Sequence, residues 1–523
     1  MFFSRRNAII ISKTPIGLPK NRENPKEENE IMKTNTKRLL ALLLCLALIF
    51  ASGSVCAFAE AESGQITRIS CTVNGDSKTQ RGFCWYTEEE TDSIVRIFEN
   101  GADISNTLSF ADVRCEKWEG LYLHKVTVKG LTPGTAYTYL VGDGSNWSSE
   151  GRFRTDGGDT LRFLCVADVQ ASSLESFEKS ALVLDAAFET NPDPDFVVNL
   201  GDFTNDSTNE EWDYYFTAFA HHNTAATLVP VAGNHDGLGV WHWFDKMFNL
   251  DTSESVQTLN GVNYSFDYAN AHFAVLNTND VLSISQVQLD WLKNDMNATD
   301  ADWKIVFMHK SPYSLGKDGK WPDALYLTES LTAVLDECAV DLVMSGHDHM
   351  YLRTKALKGN KIAEKNEGTR YVLAGTAGTK RYEIRDFSAG TYMNTDFIDA
   401  LTVQKDGYGN YWNGTDYQST DPENVGGCFS SVRIDDGTLT LDAYILSDET
   451  GNIKCIDSLT LEKETGKNAA TFDGDNTTSK LDYALDVIPS FAHLAQYAVF
   501  NWLFTTLKNL PKIIMSVLKT GTF

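Results

Sequence analysis

Two kinds of hydrophobic pattern divide the chain. Between Gln65 and Thr155 apolar and polar residues alternate in Ile66-Thr-Arg-Ile-Ser-Cys-Thr-Val, Arg81-Gly-Phe-Cys-Trp-Tyr, Ser93-Ile-Val-Arg-Ile-Phe and His124-Lys-Val-Thr-Val, with Gly, Asp and Asn turns between them. A period of two predicts half-buried strands, hence an all-β domain over residues 64–156. Tyr137 follows a Pro133-Gly134 corner, the position at which sandwich domains tie a loop back onto a strand. Asp156-Gly-Gly-Asp159 reads as a linker. Beyond it, apolar runs of the buried parallel type alternate with helical stretches such as Glu175 to Glu189 and Ser285 to Asn297, which predicts a layered α/β domain over residues 160–463.

Five of these apolar runs end in a hard oxygen or an imidazole. Leu161-Arg-Phe-Leu-Cys-Val-Ala stops at Asp168, Phe196-Val-Val-Asn-Leu-Gly at Asp202, and Leu228-Val-Pro-Val-Ala-Gly at Asn234, followed by His235 and Asp236. Trp303-Lys-Ile-Val-Phe-Met stops at His309, and Val340-Asp-Leu-Val-Met-Ser-Gly at His347, with His349 beyond. Ligands bind outside the carboxyl ends of strands in open α/β sheets, so these residues are expected to converge. A single aspartate at a strand end is an ordinary cap; the set of five is what points to chemistry.

The remaining patterns are less specific. Gly261 to Tyr268 and Ala271 to Asn277 read as a hairpin extending the sheet, whereas runs beginning at Arg370, Phe429 and Leu439 are expected to close a second sheet. The Gly/Asn/Asp/Tyr-rich segment from Arg385 to Gly427 reads as a long loop, either a wall of the site or a solvated excursion. Residues 464–523 form a polar linker and then an appendage with apolar residues at helical spacing, broken by Pro489 and Pro511. It docks on the body or, in the alternative, lies on a membrane surface, although it lacks a strongly basic face.

At the other end, basic Lys33 to Arg38, apolar Leu39 to Phe50 and Ala57-Phe58-Ala59 read as a secretory leader within residues 1–59; Met32 sits where it would begin, and residues 1–31 are either an upstream extension or a long basic start of the leader. The apolar run is shorter than the roughly 20 residues that a membrane span needs. The expected location is therefore secreted or at the cell surface.

Length and charge narrow the class. A chain of 523 residues has room for two or three domains. Its formal charge of -26 argues against a nucleic-acid partner, because nothing neutralises the phosphates. Metal ions would supply local positive charge if the site handles anions. Of nine cysteines, Cys45 and Cys56 fall in the leader, and none of the others shows a zinc-knuckle spacing. Cys71–Cys84 and Cys428–Cys455 are candidate disulfides in an oxidising compartment.

Two carboxylates, one amide oxygen and three imidazoles are too many for one catalytic ion that keeps a water position open, and they suit two ions sharing a carboxylate. Asp202 is the natural bridge. His221 and His222 read as surface residues at a helix end, and His242 as a rim residue; His272 and His493 lie outside every motif.

In this order, Asp168-x-Gln170, Gly201-Asp202, Gly233-Asn234-His235-Asp236, His309 and Gly346-His347-Asp348-His349 resemble the five blocks of the calcineurin-like metallophosphoesterase superfamily. The preceding β-domain is similar to a fibronectin type III-like sandwich, and with Trp303-Lys-Ile-Val-Phe-Met-His-Lys-Ser-Pro-Tyr it points to the purple acid phosphatase branch. The resemblance covers about Gln65 to Lys463. It implies a four-layer βαβ-type sandwich, with one ion on Asp168, Asp202 and His349 and a second on Asp202, Asn234, His309 and His347.

His235 would assist the leaving group, with Asp236 orienting its ring; the alternative is that His235 only positions Asn234. The chain departs from the purple acid phosphatase pattern Gly-Asp-x-x-Tyr, since Asn205 stands where the iron-binding tyrosine would be. Gln170 replaces the histidine many relatives place there, so Gln170 and Asn205 are candidate neutral ligands of an ion that is Fe, Zn or Mn. The implied activity is hydrolysis of small phosphoric monoesters by in-line attack of metal-bound hydroxide. A phosphodiesterase for nucleotide or lipid-headgroup esters is the near alternative, and a non-catalytic surface binding protein the distant one.

Overall fold

Between Gln65 and Thr155 the alternation folds into two stacked sheets. Strands Thr67–Thr72, Gln80–Thr87, Leu121–Lys129 and Ser109–Trp118 face Ala102–Asp103, Ile94–Glu99, Ala136–Gly142 and Gly151–Arg154. Phe83, Trp85, Val95, Ile97, Val126 and Tyr139 fill the space between them. The Thr132 amide donates to the Tyr137 hydroxyl at 2.8 Å, tying the corner back as expected.

The computed structural model describes residues 65–465, apart from the internal segments 238–242, 257, 259–260, 280–282, 317–321, 365–366, 385–393, 404–409, 413–416 and 419–421. The leader, the upstream extension, the C-terminal appendage and His242 lie outside the described residues. No described helix is long and apolar enough to cross a membrane. The described residues belong to one compact unit.

The β-domain is joined to the α/β domain by a shared sheet. Thr67–Thr72 runs parallel to Thr227–Pro230, with Thr72 opposite Leu228 and the Val73 amide donating to the Leu228 carbonyl at 3.2 Å. Asp156 is pinned too, its amide donating to Ser77, so the expected linker is an ordered join. One sheet therefore runs through both domains in ten strands. Its centre is the parallel set Thr160–Val166, Phe196–Asn199 and Thr227–Pro230.

Gly426–Asp435 pairs antiparallel with Thr160–Val166, and Thr438–Ser447 and Ile453–Glu462 follow outside it. Two of the three late runs expected to close a second sheet thus extend the first one instead. Strand pattern reports burial and not pairing partner, which is why they could not be told apart.

The second sheet has nine strands, beginning Tyr264–Tyr268, Ala271–Val275, Trp303–Phe307, Leu342–Ser345 and Arg370–Ala374. The hairpin read as an extension is thus the edge of this separate sheet. Tyr351–Thr354 follows, and then Ile398–Val403, Asn410–Trp412 and Tyr417–Gln418, so the segment 385–427 is partly strand and not simply a loop.

The two sheets stack face to face around Phe163, Phe196, Phe266, Phe273 and Phe307, with ring centroids 4.9 to 5.9 Å apart. Each of these buried rings contributes about 1.5–3 kcal/mol. Helices Leu174–Thr190 and Asn209–Ala218 cover the outer face of the first sheet, and Gln286–Ala298 covers that of the second. Each starts at a hydroxyl cap: Ser173, Thr208 in a full capping box with Glu211, and Ser285. Helix, sheet, sheet and helix give the four layers expected.

No disulfide forms among the described cysteines. Neighbours in sequence order on paired strands, Cys71 and Cys84 point to opposite faces, one into the β-sandwich core and the other into the helix-covered core. Cys428 and Cys455 lie on strands separated by a third strand between them.

The sandwich also grips the chain just after the Asn234 block. Tyr86 and Ser70 hydroxyls donate to the carbonyls of Lys246 and Met247 at 3.1 and 3.2 Å. Asn74 reaches the Asn249 carbonyl at 3.0 Å, and Lys125 Nζ the Phe248 carbonyl at 2.6 Å. Phe248 in turn packs on Phe203, the residue after Asp202.

Candidate metal centre

The five strand ends meet at one edge of the two stacked sheets, three contributed by the first sheet and two by the second. Backbone bonds continue past the strands to lock them: Asp168 amide to Gly201 carbonyl at 3.0 Å, Gln170 to Asp202 at 2.8 Å and Gly346 to His309 at 2.9 Å. Five non-glycine residues here hold left-handed backbone: Asp168 (φ 54°), Gln170 (36°), Asp202 (54°), His347 (77°) and His349 (42°). Such conformations cost about 1–3 kcal/mol each and collect at functional sites. Space is as tight as the backbone is strained. A Cβ on Gly233 would lie 2.0 Å from the Asp202 nitrogen, and one on Gly346 2.5 Å from Asp168 Oδ2.

Two sets of ligand atoms lie within 4.8 Å of one another: Asp202, His309 and His347, and Asp168, Asp202 and His349. Asp202 belongs to both. Asn234 joins the first set, its Oδ1 sitting 3.0 Å from His309 Nε2. His309 Nδ1 donates to the Leu200 carbonyl at 2.9 Å, which leaves Nε2 as the lone-pair nitrogen. Yet that nitrogen faces Asn234 Oδ1 and, at 3.3 Å, Asp202 Oδ1, both acceptors. Three lone pairs aimed at one another need a cation between them. Burial alone would lower the His309 pKa, but the Asp202 charge outweighs it and draws it up to about 9, so a proton supplies that cation when nothing else does.

His349 makes the same case in the second set. Its Nδ1 donates to the Lys380 carbonyl, burial pushes its pKa down to about 3, and its Nε2 is buried without a hydrogen-bond partner, 3.5 Å from Asp168 Oδ1. Gln170 Oε1 is likewise buried and unpartnered. The two carboxylates split: burial pushes Asp168 well up, whereas the histidines around Asp202 hold it down against burial. The bare His349 nitrogen, an orphaned amide oxygen and two buried carboxylates fit metal ions.

Asp236 does not orient the His235 ring. Its carboxylate accepts the amides of Asp202, Phe203 and Thr204 at 2.8, 2.7 and 3.2 Å and of Gly233 at 2.8 Å, so it binds the two strand-end loops to each other. The His235 ring is set by the Asn205 carbonyl, 2.5 Å from Nδ1, and its amide donates to Asp202 Oδ1 at 2.8 Å. Asn205 thus enters the site through its backbone. Of the two histidines read as surface residues, His221 is exposed, whereas His222 is buried against Phe188 and Phe219.

The sequence reading missed a sixth strand end. After Arg370–Ala374 the chain turns at Gly375, the Thr376 hydroxyl donates to the Asp168 carbonyl at 2.7 Å, Lys380 supplies the carbonyl under His349, and Tyr382 stacks on its ring at 4.2 Å. No acid or imidazole ends that run, so ligand type could not flag it.

A family model described as calcineurin-like phosphoesterase matches residues 161–351, and one described as purple acid phosphatase, N-terminal domain, matches residues 66–155. Purple acid phosphatase 23 of Arabidopsis thaliana is 24% identical over 309 residues, covering 51% of this chain and 65% of its own length. Purple acid phosphatase 15 of the same plant is 23% identical over 297 residues, covering 49% and 54%. The chain spans just over half to just under two thirds of the length of these relatives.

Among solved structures, purple acid phosphatase PPD1 from yellow lupin (Lupinus luteus) seeds aligns with a TM-score of 0.59 at 16% identity over 80% of this chain and 78% of its own. PhoD aligns with a TM-score of 0.52 at 10% identity over 85% and 100%. At such identities the likeness is one of fold. The chain thus carries a purple acid phosphatase-type N-terminal domain over residues 66–155, followed by a calcineurin-like phosphoesterase domain over residues 161–351.

Proposed function

We propose that the chain is a secreted hydrolase of small phosphoric monoesters that works with two metal ions, residues 160–463 forming the catalytic domain and residues 64–156 its scaffold. The observation that carries this reading is the pair of donor sets sharing buried Asp202, with His349 Nε2 and Gln170 Oε1 buried beside them without a hydrogen-bond partner. Asp168, Asp202 and His349 would hold one ion, with Gln170 Oε1 as a further donor; Asp202, Asn234, His309 and His347 would hold the other. Bound there, two such ions supply positive charge for a phosphoryl group and make water a nucleophile near neutral pH.

The chain's own residues do the rest. Left-handed backbone and the Asp236 carboxylate fix where the donors sit before substrate arrives, so little reorganisation is needed during reaction. With Nδ1 held at the Asn205 carbonyl, His235 keeps Nε2 as the atom that hands a proton to the departing alcohol. Asn205 in place of tyrosine removes the phenolate that favours ferric iron, which supports Zn, Mn or Fe(II) and a colourless protein.

The test is metal content of the purified mature chain alongside hydrolysis of an aryl phosphate monoester and its bis-ester. Two ions per chain and metal-dependent turnover faster on the monoester are expected. Faster turnover of the bis-ester would move the substrate class to diesters, and no turnover after reconstitution with Zn, Mn or Fe would remove the enzymatic reading.

A further inference from the structure

Away from the strand ends, one more group of ligating side chains comes together among the described residues: Asp185, His221 and His222, whose ligand atoms all lie within 4.8 Å of one another. Asp185 stands on helix Leu174–Thr190, and the two histidines on the neighbouring segment Ala220–Ala225. His222 Nε2 is 2.8 Å from Asp185 Oδ1, and the two imidazole rings are 4.5 Å apart. Phe188, one turn beyond Asp185, packs against both rings at 6.4 and 5.7 Å and supports them from the apolar side.

His222 turns Nε2 toward Asp185, so Nε2 is the nitrogen that an ion between the two side chains would meet. The His222 Nδ1 is buried without a hydrogen-bond partner. The Asp185 side chain is 57% exposed, and His221 is exposed as well, so water can complete a coordination shell. His221 also lines a cleft of about 600 Å³ with Phe188, Arg152 and Arg154.

We propose that Asp185, His221 and His222 bind a further divalent ion of the Zn²⁺ type, on the helical layer and separate from the strand-end centre. Two imidazoles and one carboxylate suit Zn²⁺, whereas Mg²⁺ and Ca²⁺ take oxygen shells. Bond lengths near 2.0–2.2 Å place tetrahedral ligand atoms about 3.3 Å apart. Asp185 and His222 already meet that spacing within half an ångström. Rotation of the exposed His221 side chain supplies the third donor. The ion would pin two helices that otherwise meet only through side chains, and it would exchange readily.

Equilibrium dialysis of the purified full chain in zinc buffered at micromolar free concentration tests this, with the double variant Asp185→Asn, His221→Ala as comparison. One Zn²⁺ more is expected in the wild type than in the variant, with turnover unchanged. The same difference of one ion is expected when both carry Asp202→Asn, which separates this proposal from the fate of the strand-end reading. Substitution with Co²⁺ should give a tetrahedral absorption band in the Asp202→Asn background that the additional double substitution abolishes. Equal zinc in wild type and double variant overturns the proposal, as does an extra ion that survives the double substitution, which would be adventitious.

Discussion

The strand-end centre and the Asp185 group contain the same ligand types, yet only the first is surrounded by partners for its own ligands. At the strand ends His309 and His349 each donate their second nitrogen to a backbone carbonyl, and Asp236 binds the amides that carry Asp202. In the helical group, His222 has no partner for its second nitrogen and Asp185 stands largely in solvent. Losing such supporting partners typically lowers metal affinity 10–100-fold. A metal centre is made by what holds the ligands as much as by the ligands, and the strained backbone is part of that hold.

The comparison breaks most sharply at Asp202, the ligand shared by both donor sets. Asp202→Asn is expected to lower kcat/KM by about 10³-fold or more and to empty at least one ion position by metal analysis, because one neutral oxygen cannot serve two cations. Retention of both ions with near-normal turnover would show that Asp202 is not shared.

His235→Gln should lower kcat by about 10²–10⁴-fold while metal content stays unchanged, with the loss smallest for substrates whose alcohol leaves easily. An equal loss across leaving groups would assign His235 to positioning Asn234.

The supporting carboxylates give the next contrast. Asp236→Asn places an amide among four backbone donors, and such bonds to a charged group contribute about 1.5–3 kcal/mol each. A fall in thermal stability together with a roughly 10–100-fold drop in activity is expected. Asp185→Asn, at a largely exposed side chain whose amide oxygen can still accept from His222, should move the unfolding free energy by less than about 1 kcal/mol.

A pH-dependent effect concerns a histidine with structural partners only. Burial alone would lower His272, but hydrogen bonds to Asp267 and Asp295 at 2.7 and 2.9 Å outweigh it and raise its pKa to about 9. The folded value is above the unfolded one of about 6.5, so this contribution is complete below pH ~6.5 and is lost as pH rises through 9. Allowing for screening at the exposed Asp267, it amounts to about 2 kcal/mol. Urea unfolding of wild type and His272→Gln should differ at pH 6 and converge at pH 10.

How much of this was legible in the sequence follows from where each property resides. Donor type and strand-end position are local, so Asp168, Asp202, Asn234, His309, His347 and His349 could be collected without coordinates, and Tyr137 was placed by its Pro-Gly corner. Pairing is not local: Thr438–Ser447 alternates and Arg370–Ala374 is buried almost throughout, yet neither pattern says which sheet its strand joins, and the two lie in different sheets. Backbone donors and acceptors have no side-chain signature either, which hid the Lys380 and Leu200 carbonyls and gave Asp236 a ring to orient instead of four amides to bind. The disulfide pairs failed because spacing along the chain carries no information about which face of a sheet a thiol occupies.

The most direct measurement is a crystal structure of the metal-loaded full chain with data collected at the absorption edge of the bound metal. Two strong anomalous peaks are expected at the strand ends with the Asp202 carboxylate touching both, one peak bounded by Asn234, His309 and His347 and the other by Asp168 and His349. A single peak there, or two peaks that do not share Asp202, would contradict the shared centre.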